Sequence, residues 1–301
     1  MLSRILRRFP STIPNLNPTS VLHKVQPLPT NSVSSTAFFS SQRSTLKSRL
    51  REEENLYGLF LLSFSPDMAE IAALSGYDFI VVDMEHGPGG IREALNCIRA
   101  IQAAGSSTVL RVPDNCQAWA KKALDLGPDG IMFPMIETGK AASDAVSYCR
   151  YRPGGLRGCA YAIVRDSRYG FDEGYLRNYT DQTLIMCQIE SEEGVKNVKE
   201  IAAVDGMDCV MMGPRDLSAS LGILHEPGNP KLKSVMRTAE TAVLGSDPAN
   251  GGAYLAGMAT PNDKPVDLRS RGYQMILGAA DVGLFKKAVV DDVKRFKDGS
   301  S

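Results

Sequence analysis

From Leu56 onward, short apolar runs alternate with longer segments in which apolar residues recur with the period of a helix. Eight of the runs have the length and composition of β-strands. We predict strands over residues 56–62, 78–82, 108–112, 130–133, 184–189, 209–212, 254–258 and 273–277. We predict the principal helices over residues 91–104, 117–126, 141–148, 195–203, 232–244 and 284–296.

This alternation is typical of a parallel sheet with crossover helices, which places the chain in the α/β class. Eight units in about 250 residues match one (β/α)₈ TIM barrel that forms a single domain. A doubly wound open sheet is the alternative, but no GxGxxG opens the first helix and no GxxxxGK[ST] occurs in the chain. The longest irregular stretch, residues 150–182, is interpreted as a loop at the catalytic face and as a candidate lid.

The N-terminal segment differs in composition from the rest. Residues 1–51 contain eight of the 34 Lys and Arg residues and none of the 34 acidic residues. An Arg- and Ser-rich segment without acids indicates organelle targeting, so we predict a cleaved transit peptide over residues 1–45 and the barrel domain over residues 46–301. Basic and apolar residues interleave over residues 2–9, which favours the mitochondrial matrix. A plastid destination and a disordered N-terminal tail are the alternatives.

The remainder of the chain carries 26 basic against 34 acidic residues, and the whole chain has a formal net charge of zero. This balance gives no indication of a nucleic acid or of a charged membrane surface as a partner. No run reaches the roughly eighteen apolar residues of a membrane helix. The six cysteines include no CxxC pair, which argues against a structural zinc site.

Acidic residues follow two neighbouring predicted strands. Glu190 comes directly after the fifth strand, and Asp216 follows the sixth in the sequence Gly213-Pro214-Arg215-Asp216. In a barrel, the carboxyl ends of the strands meet at the catalytic mouth. Carboxylate oxygens without a nearby Cys or His suit a hard cation such as Mg²⁺ or Mn²⁺. The alternative is that either acid caps a helix or forms a salt bridge.

His86 follows the second strand, three residues after Asp83. A carboxylate at Asp83 could hold the imidazole in one tautomer and raise its basicity, which would prepare His86 to act as a general base. A core histidine with no catalytic role is the alternative. Arg111 lies within the apolar third strand, where an unpaired guanidinium would be costly to bury. It therefore needs an anionic partner, either Asp83 or Asp125, and could also stabilise a developing enolate.

The start of the predicted helix after the sixth strand is a candidate substrate site. The segment Gly213-Pro214-Arg215 exposes backbone N–H groups at the positive end of that helix. Such a helix end suits a substrate carboxylate. The side chain of Arg215 would make this pocket more cationic. We therefore treat residues 213–215 as a predicted substrate-binding segment.

Six segments together resemble the HpcH/HpaI aldolase family, the class II metal-dependent pyruvate aldolases, in order and spacing. They are YDFIVVDMEHGPGG, VLRVP, KKALDLGPDGIMFPMIET, GLRGCAYAIVRDSRYG, CQIES and GPRDLSASLG. The resemblance extends over roughly residues 45–298 and includes enzymes that cleave 4-hydroxy-2-oxo-heptanedioate and 2-keto-3-deoxy acids. Arg215 departs from the small or neutral residue common at that position of the family pattern.

The resemblance implies a TIM barrel that binds Mg²⁺, Mn²⁺ or Co²⁺ through Glu190 and Asp216. It implies that Arg111 stabilises the enolate of pyruvate, that His86 with Asp83 serves the proton transfers, and that Asp125 orients Arg111 or the acceptor end of the substrate. The implied activity is that of a lyase that cleaves a 4-hydroxy-2-oxo acid into pyruvate and an aldehyde, or runs the reverse condensation, through a metal-bound pyruvate enolate. A homo-oligomer, a hexamer with the last helix exchanged, is expected by the same analogy.

Two other hypotheses remain open at this point. One is a related enolate enzyme that acts on a citryl or malyl thioester, although no nucleotide-binding region for coenzyme A is evident. The other is a barrel without catalytic activity that acts as a binding protein.

Overall fold

A computed structural model describes residues 44–226 and 228–299. Within this part of the chain, eight parallel strands form a closed barrel in which the strands follow one another in chain order. The strands are β1 (Leu56–Leu61), β2 (Phe79–Asp83), β3 (Ser107–Arg111), β4 (Gly130–Phe133), β5 (Leu184–Ile189), β6 (Cys209–Met212), β7 (Tyr254–Met258) and β8 (Met275–Ala280). The predicted α/β class and TIM barrel are confirmed.

Helices connect the strands and surround the barrel. They are α1 (Leu46–Arg51), α2 (Pro66–Leu74), α3 (Ile91–Ala103), α4 (Gln117–Leu124), α5 (Gly139–Cys149), α6 (Tyr175–Gln182), α7 (Glu192–Lys196), α8 (Val198–Ala202), α9 (Pro214–Ser220), α10 (Pro230–Leu244), α11 (Pro265–Ser270) and α12 (Asp281–Asp298). The predicted helix over residues 195–203 is divided into α7 and α8 at Asn197. None of the helices described has both the length and the apolar composition of a membrane span.

The last strand begins two residues later than predicted and extends to Ala280. Gly58 of β1 pairs with Leu277, and Leu59 pairs with Ala279, so Gly278 is an extra residue on β8. A β-carbon at position 278 would collide with the ring of Tyr57. The bulge therefore requires glycine, and its weak strand propensity explains why the sequence pattern ended the strand too early.

The interior of the barrel is filled with apolar side chains, and α1 closes its N-terminal end. Leu46 and Leu50 of α1 are fully buried and pack in the same cluster as the inward-facing residues of the strands. Lys47 of α1 forms an ion pair with Asp208 at 2.9 Å and donates a hydrogen bond to the carbonyl of Thr180. Asp208 directly precedes β6, which fixes α1 over the end of the barrel opposite the strand C-termini.

The prediction of a lid over residues 150–182 is wrong. This segment follows α5, contains a 3₁₀ helix (Arg165–Gly170) and α6, and leads directly into the first residue of β5. It is therefore an αβ connection, which lies at the N-terminal end of the strands. Its contacts agree, because Thr180 receives the hydrogen bond from Lys47 of α1, and Arg165 donates one to the carbonyl of Leu126, before β4.

The last helix, α12, leaves the barrel surface. Asp281 at its start is buried, and its carboxylate accepts hydrogen bonds from the backbone N–H groups of Leu62 and Ser63. Every residue of α12 after Asp281 is exposed, including Phe285 and Phe296. An apolar helix that does not pack on its own barrel is a candidate for contact with a second molecule.

Residues 1–43 of the predicted targeting peptide lie outside the described residues. The predicted transit peptide, its boundary at residue 45 and the predicted localisation therefore stay predictions.

Candidate active site

The C-terminal ends of four strands bring the predicted site residues to one mouth of the barrel. Asp83 ends β2 and Arg111 ends β3, and these two residues are register partners. Glu190 follows β5 directly, and Asp216 lies in the first turn of α9 after β6. The strand-end positions that were predicted from the sequence thus converge as the barrel requires.

Asp83 and Arg111 form a buried bidentate pair. Nε of Arg111 donates to Oδ1 of Asp83 at 2.8 Å, and Nη2 donates to Oδ2 at 2.5 Å. Nη1 donates to Oε1 of Gln188 at 3.1 Å. The prediction that the buried guanidinium pairs with an acid is confirmed for Asp83. The pair is also charge-assisted and geometrically fixed, which suits a cation that must stay in place during a reaction.

Asp125 does not orient Arg111, so that expectation is wrong for a single chain. Asp125 caps the C-terminus of α4, at the end of the barrel opposite the mouth. Its carboxylate instead accepts a hydrogen bond from Nη2 of Arg157 at 3.1 Å. Arg157 also donates to Asp166, which in turn accepts from the hydroxyl of Tyr175. Asp125 thus helps to anchor the 150–182 segment.

Asp83 does not hold the imidazole of His86 either. Its Oδ1 accepts hydrogen bonds from the backbone N–H groups of Glu85 and His86, at 3.0 and 3.3 Å, in addition to the one from Arg111. The carboxylate therefore shapes the turn after β2 and leaves the ring to another partner. The side chain of His86 is 59% exposed, and its Nε2 lies 4.0 Å from Oε2 of Glu85.

Glu190 is buried and held on both carboxylate oxygens. Oε1 accepts a hydrogen bond from Nε2 of Gln188 at 2.9 Å, and Oε2 accepts one from the backbone N–H of Met135 at 3.1 Å. Met135 has a φ of 46°, a left-handed conformation that non-glycine residues rarely adopt. A β-carbon at Gly213 would lie 2.6 Å from Oε1 of Glu190, so the carboxylate occupies space that only glycine leaves open.

Acidic groups accumulate around Glu190. Burial raises the pKa of Glu190 to about 7, the N–H of Met135 lowers it, and the charges of Glu85 and Asp216 raise it. Burial also raises the pKa of Glu85, against the lowering effect of Arg111. Three carboxyl groups therefore act on one another electrostatically at the mouth. A divalent cation would relieve this repulsion.

Asp216, Arg215, Pro214 and Gly213 form the start of α9. Asp216 and Arg215 are exposed, whereas Gly213 is buried against Glu190. The guanidinium of Arg215 has neither an ion pair nor a hydrogen bond with any residue among 44–226 and 228–299. It is thus available to a charged group of a ligand, and its role in substrate binding stays a prediction.

The donors at the mouth fit a divalent metal of the Mg²⁺ type. They are oxygen atoms of carboxylates, which hard cations prefer. No group of three or more His, Cys, Asp or Glu side chains that could hold a metal occurs among the described residues. A protein contribution of two carboxylates is nevertheless compatible with Mg²⁺, which usually keeps several waters and takes further oxygens from its substrate.

Sequence reasoning omitted three residues that contact the predicted ones. Glu85 lies next to Arg111, Gln188 links Arg111 to Glu190, and Met135 donates its N–H to Glu190. Gln188 could have been found, because a polar residue within an apolar strand, two positions before Glu190, shares a face with it. Met135 could not have been found, since its contribution is a backbone conformation.

Comparisons with known proteins match the whole described barrel. The family model described as HpcH/HpaI aldolase/citrate lyase matches residues 56–288. The 2-keto-3-deoxy-L-rhamnonate aldolase of Escherichia coli (strain K12) is 32% identical over 255 residues, which are 85% of this chain and 94% of that protein.

Two solved structures have the same fold and detectable sequence identity. One is a HpcH/HpaI aldolase/citrate lyase family protein from Burkholderia cenocepacia J2315, with 37% identity and a TM-score of 0.77, covering 84% of this chain and 98% of that one. The other is the HpcH/HpaI aldolase from Desulfitobacterium hafniense DCB-2, with 29% identity and a TM-score of 0.76, covering 85% of this chain and 97% of that one.

Proposed function

Since the chain belongs to the HpcH/HpaI aldolase/citrate lyase family, we propose that it is a class II, metal-dependent aldolase. It cleaves a 4-hydroxy-2-oxo acid into pyruvate and an aldehyde, or catalyses the reverse condensation. The substrate of the Escherichia coli relative, as its name gives it, is a 2-keto-3-deoxy sugar acid. This is a 4-hydroxy-2-oxo acid in the chemical sense, so the relative supports the substrate class.

The acidic cluster beside a fixed guanidinium is the observation that carries this proposal. The charges of Glu85 and Asp216 raise the pKa of Glu190, and that of Asp216 also raises the pKa of Glu85, while Arg111 is held by Asp83. A structural core would rarely retain two buried acids that repel each other, as Glu85 and Glu190 do, because burial penalises their charged forms. A site that binds a cation and then an anionic 2-oxo acid explains both the acids and the arginine.

Glu190 and Asp216 would hold the metal, with Mg²⁺ or Mn²⁺ preferred and Co²⁺ as a further possibility of the same coordination chemistry. When bound, a divalent cation polarises a ketone oxygen as a Lewis acid, which removes the need for a Schiff-base lysine. Gln188 and Met135 fix the orientation of the Glu190 carboxylate before any ligand binds. This preorganisation reduces the cost of assembling the site.

The other residues serve the organic chemistry. His86, exposed at the mouth, would take the proton from the C4 hydroxyl during cleavage and, after the aldehyde has left, give a proton to the methylene carbon of the enolate; condensation would run these two transfers in reverse. Arg111, locked on Asp83, would stabilise the negative charge that develops on the pyruvate enolate. The N–H of Gly213 donates to the carbonyl of Ile189 at 3.0 Å, and Pro214 has none, so the backbone N–H groups of Arg215 and Asp216 and the side chain of Arg215 would receive the substrate carboxylate or the charged end of the aldehyde.

Oligomerisation and localisation extend the proposal. The exposed apolar residues of α12 support a homo-oligomer, in line with the hexamer expected from the family. The acid-free N-terminal segment supports import into the mitochondrial matrix, with the plastid as the alternative. Fluorescence microscopy of the full chain with a C-terminal tag tests the import; a cytosolic signal would contradict it.

The catalytic proposal is tested by solvent deuterium exchange into the methyl group of pyruvate, followed by NMR. The full-length protein is measured with Mg²⁺ or Mn²⁺, with EDTA, and as the His86→Ala variant. We expect exchange that requires metal and falls by about a hundredfold or more in His86→Ala. No exchange under any condition would contradict enolate chemistry at pyruvate and favour a barrel that only binds ligands.

A further inference from the structure

Glu85 lies between the two groups to which the proposed function assigns the chemistry. Its Oε2 is 2.8 Å from Nη1 of Arg111 and 4.0 Å from Nε2 of His86. Oε2 is buried, yet it accepts no hydrogen bond from any described residue. Arg111 forms an ion pair with this oxygen, but its hydrogen bonds go to Asp83 and Gln188. A buried carboxylate oxygen that is paired with a charge but accepts no hydrogen bond can still take a donor.

The neighbouring acid, Asp83, is already occupied. It is fully buried, and both of its oxygens accept hydrogen bonds, from Arg111 and from the backbone N–H groups of residues 85 and 86. The imidazole of His86 is on the open side of this turn. Glu85 is therefore the carboxylate that faces the ring.

We propose that Glu85 is a positioning residue for His86, accepting a hydrogen bond from Nε2–H so that Nδ1 keeps its lone pair for the proton transfer. The inference rests on the proposed function, in which His86 is the base. A small rotation of the exposed imidazole shortens the 4.0 Å separation to a hydrogen bond. A carboxylate in this position fixes both the tautomer and the orientation of the ring.

The charges around Glu85 come from four elements. Burial is the largest influence on the pKa of Glu85 and raises it; Arg111 of β3 and His86 lower it, and Asp83 of β2 and Asp216 of α9 raise it. Glu85 in turn acts on Glu190 after β5. The guanidinium thus favours the charged form of Glu85 beside the imidazole, whereas burial disfavours it.

The experiment is a double-mutant cycle on metal-dependent deuterium exchange into pyruvate, with the full-length protein and Mg²⁺. Glu85→Gln is compared with the parent, and Glu85→Gln/His86→Ala is compared with His86→Ala. We expect a loss of about tenfold in the first comparison and less than about twofold in the second, because Glu85 acts through His86. Equal losses in both comparisons would overturn the inference.

A pH profile separates positioning from a structural effect. Loss of a carboxylate at about 4 Å moves the acidic limb of kcat/KM for exchange to lower pH in Glu85→Gln. Glu85→Asp keeps the charge, so the acidic limb of its kcat/KM profile stays near that of the parent. Its kcat falls, because the shorter side chain no longer positions the imidazole. An unmoved limb in Glu85→Gln, or parental activity, would contradict the role of Glu85.

Control variants and the parent protein keep the outcomes distinct. Glu137→Gln removes a carboxylate at the same end of the barrel, after β4, and should leave exchange and limb unchanged. Should Glu85→Gln fail to fold, as judged by circular dichroism, the Glu85→Asp cycle against His86→Ala takes its place. If the parent itself shows no exchange, the proposed function fails; if only the cycle is additive, the proposed function stands and this inference falls.

Discussion

The carboxyl group of Glu190 makes the metal-free site sensitive to pH near neutrality. Its pKa is raised from 4.5 to about 7 in the folded protein. Between these values the folded state holds a proton that the unfolded chain has released. The free energy of unfolding of the metal-free protein therefore falls as pH rises from about 5 to 7.5, by up to about 3 kcal/mol from this group.

Urea unfolding in EDTA at several pH values measures this fall. Glu190→Gln should flatten the pH dependence, since glutamine has no proton to release. Glu192→Gln, an exposed neighbour on α7, is the matched control and should retain the parental slope. Because metal binding requires the carboxylate, the apparent Mg²⁺ affinity should rise about tenfold per pH unit below pH 7 in calorimetry. A pH-independent affinity would contradict Glu190 as a ligand.

Arg215 is predicted to select the charge of the aldehyde. Its guanidinium has no partner within the described part of the chain, and it directly precedes the proposed ligand Asp216. An exposed cation beside the substrate raises kcat/KM for an anionic substrate by a factor of about three to ten, and salt weakens this effect. We expect Arg215→Ala to lower kcat/KM for condensation of pyruvate with glyoxylate by that factor, and to leave the value for neutral glycolaldehyde unchanged.

Arg269→Ala, which removes an exposed arginine from α11, is the control for net charge and should change neither aldehyde. Equal losses for the two aldehydes in Arg215→Ala would show that the residue acts on something other than the aldehyde charge.

Among the residues of the site, the need of a buried charge for a partner could be predicted from the sequence. An arginine within an apolar strand must have an anionic partner, and Asp83 is that partner. Which acid faces His86 could not be predicted, because the two backbone N–H groups of the turn compete for Asp83. Asp125 does not reach Arg111 within one chain, because it ends α4 at the opposite end of the barrel, which a resemblance between sequences does not reveal.

Among the elements, α1 has a structural role that its six residues do not suggest. Leu46 and Leu50 are fully buried with the barrel interior. Leu50→Ala should lower the free energy of unfolding by about 2–5 kcal/mol, because it removes buried methyl groups and leaves a cavity. Urea unfolding measures the change. Arg51→Ala, on the exposed side of the same helix, is the control and should stay within about 0.5 kcal/mol.

A Leu50→Ala variant as stable as the parent would show that α1 does not hold the barrel closed. The same helix bears on the targeting prediction. Thr45 caps α1 by accepting a hydrogen bond from the N–H of Ser48, so removal of residues 1–43 should leave the unfolding transition unchanged, whereas removal of residues 1–51 should destabilise it.

Strands and long helices were predictable from sequence to within a few residues, because apolar periodicity reports which face is buried. The short helices α2 and α11 were not, and only the start of α9 was, since six to nine residues beginning with proline show little periodicity. The 150–182 segment was assigned to the wrong end of the barrel for a different reason. Its length suggested a functional loop at the catalytic face. The segment follows α5 and leads into β5, however, so it lies at the N-terminal end of the barrel strands.

For the whole molecule, the exposed apolar residues of α12 lead us to predict that one barrel packs against a second copy of the chain. Val282, Phe285, Val289, Val293 and Phe296 recur at intervals of three and four and are all exposed. They form one apolar stripe on a helix that contacts its own barrel only where it begins. On α2 and α11, the helices next to β1 and β8, Ile71, Leu74 and Val266 are also exposed.

A second copy of the chain can cover the stripe on α12 and the exposed residues of α2 and α11 at once if the two copies exchange α12. Each barrel then packs against the α12 helix of its partner. We expect the full-length protein to run as a homo-oligomer in size-exclusion chromatography with light scattering.

Phe285→Ser combined with Phe296→Ser should shift it toward the monomer, because an apolar stripe of this kind loses most of its contact area without its aromatic residues. Asp292→Ser, exposed on the same helix, should leave the mass unchanged. A monomeric parent at micromolar concentration, or a double variant with the parental mass, would contradict this assembly and leave the exposed stripe on α12 without a partner in the protein itself.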